Sequence, residues 1–268
     1  MEPEIVKTTI TPLKDLLPEI YGDALKPGMK AVGHAIGDAL EMCLLPITAM
    51  GYVPKLAKKC LDKHLKTFEQ KLNKIPEDKK TDIHPQISFP VIQKLLYTTN
   101  DTIAELFINL LTSSANIDMC SNAHPGFVEI ISQLSPDEAK IIQYLNGEND
   151  IQYAEINAFV KNGTGYNTIL PKSTLTPFHV ALDFPSNIHA YYSNLIRLGI
   201  LEDESGTYKI ANNVYDEIAE KYNFDYYKKL VPECFKKVEI EKSYYEVTPV
   251  GRLFISACSS TTKYEFPI

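Results

Sequence analysis

No two of the five cysteines, Cys43, Cys60, Cys120, Cys234 and Cys258, stand in a C-x-x-C pair, and their number is odd. Such wide spacing suggests neither a disulfide framework nor a zinc motif, and it fits a reducing compartment. The N-terminus, MEPEIVKTTITPLKDLLPEIYGD, lacks a basic stretch followed by an apolar run, so a secretory leader is not expected. A G-x-S-x-G elbow is missing too, and the Ser259-Ser260 pair lies in a polar tail, which argues against a nucleophilic hydrolase. Neither a P-loop nor a G-x-G-x-x-G fingerprint is present, which removes those two phosphate cradles. Cys120 and His124 come nearest to a ligand pair but have no partners at zinc spacing. No catalytic residue, cofactor or metal is therefore assigned, and an enzyme is the less favoured class.

What the chain does have is enough apolar material to fold. At 268 residues it exceeds the usual domain size of about 100 to 150, so two compact units are expected. Hydrophobic residues make up 44% and charged ones 23%, close to globular averages. The net charge of -7 is uneven: +2 over 1–80, -4 over 81–134 and -5 over the remainder. Residues 54–80 hold nine Lys against four acids, so attraction to phosphate, whether of lipid or nucleic acid, is expected there if anywhere. A solvated helix face accounts for the same lysines.

Periodicity predicts a mainly α protein: an N-terminal helical domain, 1–134, followed by a winged-helix-like α+β domain, 135–268. A first helix is read over 28–45, between Pro27 and Pro46, with Lys30, His34, Asp38 and Glu41 on one stripe of an otherwise apolar surface. A second runs from Lys55 to Ile75, apolar at Leu56, Cys60, Leu65, Phe68, Leu72 and Ile75 and lysine-rich elsewhere, before an exposed linker at EDKKTD. Short helices follow over 89–97, 102–113 and from His124. Ser135, Pro136 and Glu138 form a capping box for a helix over 136–145. The winged-helix order is then helix 153–160, helix 187–198, two short strands in LGILEDESGTYKI with Gly206 at the turn, a further extended run in KKVEIEKSYYEV, and a last helix opened by Thr248 and Pro249.

Tyr21, Asp23, Pro27, Lys30, Gly33 and Pro46, together with the runs HPQISFPVIQKLLYTTNDTIAELFINLLTSSA and HPGFVEIISQLSPDEAKII, resemble the abortive-infection alpha family of bacterial phage-defence proteins. The element His124-Pro125-Gly126-Phe127 followed by Leu134-Ser135-Pro136-Asp137 is the most specific part. The resemblance implies a role in aborting phage infection and carries no catalytic residue with it.

Candidate functional residues are few. Gly33 and Gly37 form G-x-x-x-G, and Ala31, Ala35 and Ala39 repeat at the same spacing, so another helix or a membrane could approach closely there. Lys30, His34, Asp38 and Glu41 disfavour stable insertion, at ~2.5 kcal/mol or more each at mid-membrane. Their stripe leaves open a conditional role at a headgroup layer, and with it membrane perturbation from the cytoplasmic side of the inner membrane. Tyr191, Tyr192 and Arg197, on the third helix of the winged-helix order, are protein-contact candidates, with core packing as the alternative for the two rings. DNA binding is disfavoured because that helix carries one Arg and no Lys, while Glu202, Asp203 and Glu204 occupy the expected wing. The expected function is a non-enzymatic antiphage protein working through a protein partner or self-association, with an anionic membrane as a further partner. A winged-helix transcriptional regulator, and a nuclease assembled from scattered residues such as Asp101, Glu105 and His124, are the rivals.

Overall fold

A computed structural model describes residues 35–40, 42–43, 55–161, 165–209, 213–232 and 235–259. The chain divides into two compact units, one of 1–139 with 256–263, the other containing 140–255.

In the first unit, residues 35–40 and 42–43 are helical, and four helices follow: α1 (Lys55–Leu72), α2 (Pro85–Leu95), α3 (Asp101–Ser114) and α4 (Phe127–Ser132). Leu61, Leu65, Phe68 and Leu72 recur along one face of α1 and are buried. They meet α3, which buries Leu106, Phe107, Leu110 and Leu111 and also packs against α2 and α4. Each such side chain contributes about 2 kcal/mol on leaving water. Asn100 caps α3, its Oδ1 accepting from Ile103 N at 3.1 Å. α2 begins four residues earlier than periodicity suggested, at Pro85, with His84 Nδ1 accepting from Gln86 N at 3.2 Å. Pro90 therefore sits inside the helix, at a cost of ~3 kcal/mol. Burial of Ile87, Val91, Ile92 and Leu95 on the same helix outweighs it. The capping box forms: Ser135 Oγ accepts from Glu138 N at 3.3 Å, and Ser135 N donates to Glu138 Oε2 at 2.6 Å, opening α5 (Pro136–Tyr144).

The EDKKTD linker is not free. A short 3₁₀ turn over Glu77–Lys79 leads into a bridge between Lys80 and Asn116, with Thr81 N donating to Ala115 O and Ile117 N to Lys79 O, both at 2.9 Å. The linker is thereby held to the end of α3.

The second unit is built on an antiparallel sheet of β1 (Asp150–Val160), β2 (Tyr166–Thr174), β3 (Leu201–Asp203) and β4 (Phe235–Val247), in the order β2-β1-β4-β3. This corrects the winged-helix and mainly α expectation: the fold is mixed α+β. Residues 153–160, read as helix, are strand β1 and pair with β4 along their whole length. The wing hairpin does not form either, because β3 pairs with Tyr245–Val247 of β4 and residues 207–209 are not a strand. Between the strands come α6 (Thr176–His179), α7 (Ile188–Arg197), α8 (Val214–Lys221) and α9 (Phe224–Lys229); α10 (Pro249–Cys258) follows β4. Tyr215, Ile218 and Phe224 of α8 and α9 pack on Ala154, Ile156 and Leu170 from one face of the sheet. On the other, Tyr192 of α7 stacks on Tyr245 at 4.6 Å, and Tyr245 meets Tyr153 at 4.7 Å. Tyr153 donates its hydroxyl to Asp203 Oδ1 at 2.6 Å, and Lys172 pairs with the same carboxylate.

Two close fits suggest tests. Gly199 ends α7 with φ +72°, and Thr248 Oγ1 donates to Gly199 O while accepting from Gly251 N at 2.8 Å, so the start of α10 lies against that turn. A Cβ on Gly251 would stand 2.2 Å from Ile200 O, a backbone atom that cannot swing away. Gly251→Ala is therefore expected to destabilise by about 1–3 kcal/mol in urea denaturation, and an unchanged midpoint would show that α10 is free to shift. Burial pushes the Asp203 carboxyl up, but hydrogen bonds from Lys172, Tyr153 and Ser205 together hold it below the usual value. Its contribution is thus present above the unfolded-state value of ~3.9 and is lost as pH falls through the lower folded-state value. Asp203→Asn should lower stability at neutral pH and flatten the acid limb of a stability-against-pH curve; an unaltered acid limb would refute the assignment.

Candidate functional site

The lysine-rich stretch does not stay on one helix face. α1 stops at Leu72, and the chain turns through Lys74, Ile75 and Pro76 before the 3₁₀ turn carries Lys79 back beside the end of α3. Lys71, Lys74 and Lys79 thereby line one side of a cleft of about 440 Å³. Its other side is made by Asn109, Thr112 and Ser113 of α3, the Asn116–Met119 turn, and Ser259 just beyond α10, all within the first unit.

The polar groups here differ in how they are satisfied. Asn109, 5% exposed, accepts from Lys71 Nζ through Oδ1 and donates from Nδ2 to Cys258 O at 2.8 Å. Lys71 also pairs with Glu105 at 3.1 Å. Lys79 pairs with Asp118 at 2.5 Å; the hydrogen bond and the charge of that carboxylate hold the ammonium above its ordinary pKa. Both partners of this pair are about half exposed, so water screens it and the pair is readily exchanged. The Lys74 side chain is exposed, and its ammonium has no hydrogen-bond or ion-pair partner among the described residues. Thr112 and Ser113 donate their hydroxyls to Ile108 O at 2.7 Å and Ala257 O at 2.9 Å, which leaves their lone pairs as acceptors. Ser259, far from lying in a polar tail, is 6% exposed, and its buried Oγ has no hydrogen-bond partner among the described residues. Beside it, burial holds the Cys258 thiol protonated, well above its usual pKa, so that sulfur is no nucleophile.

Of the residues singled out from sequence, Lys30, Gly33, His34 and Glu41 lie outside the described residues. Gly37 is half-buried and Asp38 exposed on the helical stretch at 35–40. Among the described residues no helix is long and apolar enough to cross a membrane. Tyr191 and Tyr192 are 8% and 1% exposed, so neither ring is presented at the surface. Tyr192 donates to Thr176 Oγ1 at 2.6 Å, and burial pushes its phenol pKa up. Arg197 is exposed, with its guanidinium on Asn194 Oδ1 one turn back. Asp101, Glu105 and His124 do not converge: the first two pair with Lys63 and Lys71, and His124 Nδ1 accepts from Gly126 N at 3.0 Å, capping its own turn. Among the described residues no three His, Cys, Asp or Glu side chains are grouped so as to hold a metal ion. In the second unit, a smaller hollow of about 230 Å³ is lined by Glu148, Asp150 and Glu217, with Tyr144 OH 3.2 Å from His179 Nδ1.

A family model described as abortive infection alpha matches residues 59–258. The chain belongs to the abortive infection alpha family. The matched span runs from within α1 to the last residue of α10 and contains every cleft residue named above except Ser259. Tyr21, Asp23, Pro27, Lys30, Gly33 and Pro46 precede it. No curated protein matches this abortive infection alpha chain. Among solved structures it is similar to an uncharacterized protein from the hydrocarbon-degrading marine bacterium Alcanivorax borkumensis SK2, at 14% identity and a TM-score of 0.34, covering 49% of this chain and 90% of that one.

Asn109 lines the cleft and bonds both Lys71 and Cys258 O. Replacing it with Leu keeps the volume but strips Cys258 O of its donor and Lys71 of an acceptor. Asn109→Leu is expected to cost about 1–3 kcal/mol by urea denaturation, and a variant as stable as the parent would show that this amide does not hold α10 to α3.

Proposed function

We propose that this protein acts in phage defence by abortive infection, as a binding protein that receives a ligand in the lysine-lined cleft and answers through contact with a protein partner or a second copy of itself. The family match over residues 59–258 supports the defence role. The observation that carries the binding role is the cleft itself, in which an exposed ammonium, Lys74, and a buried hydroxyl, Ser259 Oγ, both lack partners among the described residues. Water solvates the exposed ammonium, but the buried hydroxyl is satisfied only by a water or a ligand that reaches it. Bond-making chemistry is not part of this reading; each carboxylate of the Asp101, Glu105 and His124 set already has a lysine.

One observation favours a second route. Lys59, Lys63 and Lys66 are exposed along α1 at helical spacing, a face suited to anionic lipid headgroups. The two routes separate in one experiment, expression in a phage-challenged host with plaque formation and membrane potential recorded together. The cleft reading expects Lys74→Glu to lose most of the protection, while a Lys59/Lys63/Lys66→Glu triple variant keeps it. The opposite pattern would replace the cleft with the membrane surface, and full protection by Lys74→Glu would remove the cleft from the mechanism.

A further inference from the structure

Resting on the binding role just proposed, we infer that the cleft takes a small phosphorylated molecule of mononucleotide size, its phosphate held at the Lys74 and Ser259 end. Charge comes first. The lining holds three ammonium groups against one carboxylate, Asp118, so the site favours an anion. Lys71 is committed to Glu105 and Asn109, whereas Lys74 is free and Lys79 is held only by its half-exposed pair with Asp118. Lys74 is thus uncommitted, and Lys79 can share its ammonium between Asp118 and an incoming phosphate monoester, which carries a charge of about −1.5 to −2 near neutral pH. Lysine presents three donors on a flexible stem and binds phosphate as a point charge, without the fixed fork that arginine offers a carboxylate.

Hydrogen bonding gives the second argument. Ser259 lines the cleft, and its Oγ is fully buried with no hydrogen-bond partner among the described residues, so a phosphate oxygen that displaces its cover supplies the acceptor it lacks. On α3, Thr112 and Ser113 offer only lone pairs, because their protons already go to backbone carbonyls. A ligand matching both ends carries an anion at one and hydroxyl or amino donors at the other. A bare phosphate ion meets only the first requirement. Size points the same way: about 440 Å³ falls within the ~300–1,000 Å³ of sites that enclose whole organic ligands, far more than an ion needs. Ile75, Pro76 and Met119 supply an apolar wall for the ligand's body.

The test is titration of the full chain, by calorimetry and by thermal shift, with adenosine monophosphate, ribose phosphate, inorganic phosphate, adenosine, and vesicles of anionic lipid. Expected is saturable binding of the phosphorylated organic probes, tighter than inorganic phosphate, absent for adenosine and weakening as salt is raised. Lys74→Glu, an exposed position whose change leaves the core intact, should weaken binding about tenfold or more, equal to ~1.4 kcal/mol. Ser259→Ala should weaken it by a smaller factor with an unchanged far-ultraviolet spectrum. Adenosine binding as well as its monophosphate, binding to vesicles alone, or no binding of any probe at low-millimolar concentration would each overturn the inference. Loss of protection by Lys74→Glu without phosphate binding would overturn this ligand class and leave the binding role of the cleft standing. Phosphate binding with protection untouched would do the reverse.

Discussion

A buried polar group must find a partner, and in the first unit that requirement determines how the helices are joined. Asn109 sits on α3 among buried leucine and phenylalanine side chains, where an unpaired amide would cost about 1–3 kcal/mol. Its two ends reach in opposite directions, to Lys71 at the end of α1 and to Cys258 O at the end of α10, so one side chain fixes two termini against a third helix. Ser113 on the same helix repeats the device toward Ala257 O, and Asn122 donates to Ser256 Oγ at 3.1 Å. The chain's last described residues are therefore tied to α3 by polar bonds as well as by apolar contact. Ser259 stands one residue past this anchored stretch, its buried Oγ without a partner among the described residues, and it lines the cleft.

The second unit solves the same problem with aromatic side chains. Tyr153, Tyr192 and Tyr245 fill one face of the sheet, and the first two send their hydroxyls to Asp203 and to Thr176. A phenol buries a ring and still needs one hydrogen bond, which is why polar residues on β2, β3 and α6 lie around the stack. Lys172 stands 4.6 Å from the centre of the Tyr153 ring and pairs with Asp203, so the acid that accepts from the phenol is itself neutralised.

Helix boundaries were legible where the signal is local. Ser135 with Glu138, and Thr248 before Pro249, act within three residues of themselves, and each opens a helix. Strand β1 does not read as a strand in the sequence because both faces of the sheet are covered, Tyr153 by the tyrosine stack and Ala154 by α8 and α9, so neighbouring residues are buried together. Its burial alternates at first and then groups as Tyr153 with Ala154 and Ile156 with Asn157 and Ala158, which imitates helical spacing. The pairing with β4 that makes it a strand joins residues 75 to 96 positions apart, and no local periodicity reports it. The tyrosines of α7 were read as contact or core; a single helix cannot choose between these, since the choice belongs to Tyr245 on a distant strand.

From the amino acids alone follow the family resemblance, the lysine excess over 54–80, the capped helix starts, and the absence of the familiar nucleophile and phosphate-loop motifs. All of these are properties of neighbours in the chain, for which composition and short-range geometry suffice. Only the tertiary structure decided which lysines meet. Lys71, Lys74 and Lys79 share a cleft because α1 ends at Leu72, the following turn reverses the chain, and the Lys80–Asn116 bridge fastens it to α3. Ser259 joins them from the far end of the sequence through the anchoring of α10, a contact whose energy comes from burial and so exists only once the chain is folded.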